Sequence, residues 1–67
     1  MTRKDYIAIA ATLAYQREHA HRAYGANTFS AVCEVLDQTA NGLADTLAVD
    51  NSRFDRAKFL AACGVQS

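Results

Sequence analysis

Proline and tryptophan are absent from this chain, and its three glycines stand apart from one another. Without proline, no helix is stopped or kinked by a missing backbone N–H, so other residues must end the helices. Isolated glycines exclude a phosphate-cradling loop, which needs several of them close together. No apolar run is long enough to span a bilayer. The charged start, Met1-Thr2-Arg3-Lys4-Asp5, is followed by no apolar stretch with the strength of a secretory signal core. No membrane association is therefore expected. Cysteine is sparse, with Cys33 and Cys63 far apart and no CxxC. A secreted scaffold of this size would carry more. The expected form is two reduced, buried thiols in a cytosolic protein. The alternative is one disulfide tying the second helix to the third. Excess charge is lacking too. Seven basic and seven acidic residues cancel, so the whole chain feels no net pull toward nucleic acid or anionic lipid.

What remains favours helices. The chain has 67 residues, enough for one helical domain over 1–67. About half of them are apolar, many being alanine, and aromatics are few, a profile that suits helix over strand. The expected fold is all-α: a three-helix domain of two long helices and a short C-terminal one.

Helix 1 is predicted to start after Thr2, with Asp5 in its first turn, and to run to about Tyr24 with Gly25 at C′. Tyr6, Ile9, Ala10, Leu13, Arg17, Ala20 and Tyr24 then share one face. Tyr15 falls on the opposite side, among Ala8, Ala11, Glu18, His19 and Arg22. Helix 2 is predicted to start at Asn27 or Thr28. Phe29, Cys33, Leu36, Ala40, Leu43 and Leu47 alternate spacings of four and three, a seam for packing on another helix. Val32, Val35, Thr39, Thr46 and Val49 flank it, and Gly42 could allow a close helix crossing. So wide an apolar arc suggests that helix 2 lies centrally. Asp50-Asn51-Ser52 make the second turn. Asp55 is placed to cap helix 3, Phe54 and Phe59 to form a hydrophobic staple, and Gly64 and Val65 to close a Schellman end on Leu60.

Charge is unevenly spread. Arg3, Lys4, Arg17 and Arg22 outnumber Asp5 and Glu18, so residues 1–25 carry about +2. Residues 26–50 carry about −4 from Glu34, Asp37, Asp45 and Asp50, with no lysine or arginine. Residues 51–67 return to about +2 through Arg53, Arg56 and Lys58 against Asp55. The middle helix is expected to pair with its basic neighbours. Arg53 and Arg56, near a helix N-terminus, oppose its dipole, so they should have acidic partners or serve outside contacts.

The two ends, Thr2–Ala10 and Asp50–Val65, resemble small proteins of tailed bacteriophages that share (R/K)xDYxxIA near the start and NxRFDRxxFLxACG near the close. The match spans about 25 of the 67 residues. Ser52 stands where a proline is common in that group, which leaves this turn less rigid. The resemblance implies a phage origin and a working place in the host bacterial cytoplasm, and it brings no activity with it.

No catalytic, cofactor-binding or metal site is expected. His19 and His21 are two apart on a helix and point to opposite sides, so they cannot share an ion. Cys33 lies on the apolar seam, and Cys63 lies at a helix C-terminus, where the dipole disfavours a thiolate. Glu34 and Asp37 read as a solvated face. A basic patch of Arg3, Lys4, Arg22, Arg53, Arg56 and Lys58 would form only if the helix ends meet, and the acidic helix 2 would repel phosphate.

Arg17 stands on an apolar face. It either snorkels, pairs with Asp37 or Asp45, or serves as an interface residue. Tyr15, Arg17 and Arg22 are the candidate protein-interaction residues. Val35, Gly42, Thr46 and Val49 are the candidates for self-association as a homodimer. These features lead to the expectation of a non-enzymatic phage accessory protein that binds and modulates a host or phage protein, of host-takeover or anti-defence type. A small DNA-associated regulatory protein is the alternative.

Overall fold

A computed structural model describes residues 2–65. It contains α1 (Arg3–Ala23), α2 (Ala26–Asp50) and α3 (Arg56–Ala62), and no strand among the described residues. The expected all-α arrangement of two long helices and one short one is what forms. All three helices touch one another in pairs.

The start of α1 closes from the side of Asp5. Its carboxylate accepts from the Thr2 N–H at 2.9 Å and from the Thr2 hydroxyl at 3.3 Å. These bonds take up groups that would otherwise be orphaned at a helix start. The N–H bond, with a smaller contribution from the hydroxyl, outweighs desolvation and holds the Asp5 carboxyl below its ordinary value.

The α1–α2 connection is tighter than the sequence suggests. Tyr24 is extended, and Gly25 caps α2 with φ −70°, so it is not a left-handed C′ residue. The Gly25 carbonyl accepts from Phe29 N–H at 2.8 Å. Ala26 is therefore already helical, while Asn27 and Thr28, expected to cap, sit inside the first turn. Alanine's strong helix preference carries α2 back to the glycine, which makes a side-chain cap unnecessary.

At its other end α2 stops at Asp50, and α3 follows with the expected ends. Asp55 Oδ1 accepts from Lys58 N–H at 3.0 Å. Phe54 and Phe59 lie with ring centroids 5.4 Å apart, and Tyr6 meets Phe54 edge-on at 5.0 Å. At the far end, Gly64 N–H bonds Ala61 O and Val65 N–H bonds Leu60 O, and Gly64 takes φ +89°. That pair of bonds is the Schellman closure.

The core is made of Ala10, Ala40, Ala44, Leu47, Phe59 and Cys63, with Tyr6, Ile9, Leu13, Leu43, Phe54, Leu60 and Val65 packed around it. Small alanines let the helix backbones approach closely. The seam from Phe29 to Leu47 is at least half-buried throughout, but Ala44, which lies off it, is fully buried. Tyr24, placed on the core face by periodicity, is 48% exposed because the helix ends just before it. Gly42 supports no crossing within the chain, since a Cβ added there would meet nothing within 4 Å.

Candidate functional site

The charged residues sort into those consumed by the fold and those left facing outward. One edge of α2 presents Asp37, Asn41 and Asp45 at four-residue spacing, which puts them in one row. Arg17 of α1 reaches this row from one side, its Nη2 donating to Asp37 Oδ1 at 2.5 Å. Arg56 of α3 reaches it from the other, donating to Asp45 Oδ1 and, at 3.0 Å, to Asn41 Oδ1. Asn41 in turn donates to the Asp37 backbone carbonyl at 2.8 Å. The acidic middle of the sequence is thus clamped by its basic flanks.

Arg17 is the most enclosed charge. Burial works against its positive form, but the hydrogen bond and attraction of Asp37, with smaller help from Cys33, outweigh this and raise its pKa. Its Nε is buried and makes no hydrogen bond. The shaft of the side chain lies across the end of α3, where a Cβ on Gly64 would come within 2.9 Å of Nε. Of the roles open to Arg17 in the sequence, the structure displays the pairing with Asp37. An outward-facing interface position is not what it occupies.

Tyr15 and Arg22 are exposed on the outer face of α1, Tyr15 by 62%. Ile7, Ala8 and Ala11 are exposed with them and, by helical spacing, share that face. The Thr12 hydroxyl beside them is turned back onto Ala8 O at 3.0 Å. On α2, Val35, Gly42, Thr46 and Val49 are all exposed, Val49 by 91%. Thr39 and Thr46 donate their hydroxyls to the carbonyls of Val35 and Gly42. Their methyl groups are then left as the outward chemistry of this stripe.

Among the described residues, two depressions stand out. One is an open polar face of α2 alone, including Glu34, Asp37 and Asp45. The other is a cleft of about 490 Å³ between the start of α1 and α3, with Ile7, Ala10, Phe54 and Ala62 along it and Arg3, Arg53 and Lys58 at its edges. Of the six basic residues that could gather, Arg3, Arg53 and Lys58 meet here, while Lys4 and Arg22 do not line the cleft and Arg56 is held by Asp45. Sequence periodicity could not show this cleft, since its two walls come from segments some fifty residues apart.

Cys33 and Cys63 are both free thiols. Cys63 is fully buried, and burial pushes its thiol pKa up despite the opposing pull of Arg17. His21 meets Phe29 edge-on at 5.2 Å. No group of three or more metal-binding side chains gathers among the described residues. No described helix is long and apolar enough to cross a membrane. Against known proteins, the chain matches no family model, no curated protein and no solved structure.

Proposed function

We propose that this chain is a non-enzymatic interaction protein that binds and modulates another protein through the outer face of α1. The carrying observation is the exposed band of Ile7, Ala8, Ala11 and Tyr15. It holds no charge of its own and is flanked along the helix by Lys4, Glu18 and Arg22. An exposed aromatic ring with an aliphatic side chain beside it, and charge only at the margin, fits the apolar-centre and polar-rim anatomy of an interface. The phage-like motifs at both ends support a host or phage protein as the partner and the host cytoplasm as the place of action. The exposed valine stripe of α2 supports a second contact, between two copies of the chain.

The DNA-associated alternative gains from the convergence of Arg3, Arg53 and Lys58 and loses from the internal use of Arg17 and Arg56. Co-purification from host lysate separates the readings. One defined protein should be retained in stoichiometric amount and be lost from the Tyr15→Asp variant. Salt-sensitive retention on DNA, with no protein dependent on Tyr15, would overturn the interaction reading.

A further inference from the structure

The cleft between α1 and α3 combines an apolar floor with a predominantly basic rim. Ile7 is 59% exposed there, an unusual position for a large aliphatic side chain beside a core aromatic cluster. Arg3, Arg53 and Lys58 stand around it, and among the described residues none of them is in an ion pair. The one carboxylate at the rim, Asp55, already accepts the Lys58 backbone N–H as the α3 cap. The rim therefore carries three cations that no ion pair among the described residues takes up, against one carboxylate, about +2 in all.

We infer that this cleft receives an acidic segment of a protein partner, with one large apolar side chain of that segment seated on Ile7 and Phe54. Two features favour this occupant. The cations surround an aliphatic floor, so charge complementarity and apolar burial act on the same ligand. The chain's own acidic face is a poor complement, because Asp37 and Asp45 are already matched by Arg17 and Arg56. A single-stranded nucleic acid would need a free ring face on which a base could stack. Tyr6 and Phe54 are engaged edge-on with each other, Phe54 also packs on Phe59, and the Tyr6 hydroxyl accepts from Asn51 Nδ2. The inference rests on the interaction reading above and names the chemistry of the partner.

The test uses a fluorescent peptide of glutamates flanking a single leucine, titrated with the full chain at low salt. Controls are the same peptide with alanine at its centre and a labelled oligothymidylate. The leucine peptide should bind more tightly than the alanine peptide, and its binding should weaken as salt rises. Arg53→Glu and Lys58→Glu should each weaken it roughly tenfold. Both side chains are exposed, and Lys58→Glu leaves the backbone N–H that caps α3 in place, so both variants should fold. Ile7→Ser should remove the preference for leucine over alanine. Equal affinity for the two peptides, tighter binding of oligothymidylate, or no effect of the charge reversals would each overturn the assignment. If the cleft fails while a Tyr15-dependent partner is still retained, the interaction reading survives without it. If both fail, both are lost.

Discussion

Gly64 does two things that no other residue can do at that position. Its φ of +89° lies in the left-handed region, and its missing Cβ leaves room for the Arg17 side chain. An alanine there would cost about 1–2 kcal/mol in backbone strain alone. It would also press on Arg17 Nε, which cannot retreat without loosening its contact with Asp37. Gly64→Ala should therefore lower the melting temperature, and Arg17→Lys should recover part of the loss by thinning the side chain at the contact. A Gly64→Ala variant as stable as the parent would show that the turn has another way to close. Asp5 acts at the same scale through its proton. Its folded pKa lies below the ordinary value of 3.8, so its contribution is present above that value and is lost as pH falls through the folded pKa. Acid titration followed by the amide resonances of Thr2 and Asp5 should show α1 fraying from its start below that ordinary value. Asp5→Asn should fray at every pH.

At the scale of elements, α3 is the test case. Seven residues are too few to hold a helix by propensity, so its ends and its packing must do so. Phe54 touches Tyr6 of α1 and Phe59 of α3 together. Phe54→Ala should destabilise the domain by about 2–3 kcal/mol, less than a fully buried ring because Phe54 is half-exposed to solvent. Melting within a degree or two of the parent would show that α3 is held elsewhere. The same element shows what a sequence can reveal. The cap, staple and Schellman residues of α3 interact within ten positions of one another, so local chemistry specifies them. The Arg17–Asp37 pair joins residues twenty positions apart on different helices, so periodicity locates the face of Arg17 but does not choose between Asp37 and Asp45. Ala44 gives no sign of its burial because alanine carries too little hydropathy, and the side of α2 that α3 covers is decided by the second turn. Gly25 is ambiguous in sequence because a glycine between two helices can end one or begin the next. The α1–α3 cleft was invisible for a different reason: its rim belongs to distant segments and appears only when the chain has folded.

At the scale of the whole molecule, the limiting quantity is apolar burial. Among the described residues, four of the seven buried hydrophobics are alanines, which contribute little area, while Val35 and Val49 remain 60% and 91% exposed. Those two valines bracket Thr39, Gly42 and Thr46 at alternating four- and three-residue spacings, the repeat of a helix–helix seam. The threonine hydroxyls are already bonded to their own helix, so burying this face would strand no donor. Gly42, open to solvent, would let a second backbone come close at the centre of the stripe. Four valines from two copies, at no more than about 1.5–3 kcal/mol each because Val35 is already partly covered, supply a gain of the same order as the association cost of about 4–15 kcal/mol. The balance favours a weak dimer rather than an obligate one. Light scattering should show a 7.3 kDa species at low micromolar concentration, giving way to twice that mass as the protein approaches millimolar. Val35→Lys with Val49→Lys should keep the protein monomeric throughout without lowering the monomer's melting temperature, since both positions are already in water and a cation suits this acidic helix and its C-terminal end. A strict monomer at every concentration would overturn the contact. A dimer that persists in the doubly substituted protein would move it to the band around Tyr15, and Tyr15→Asp should then break it.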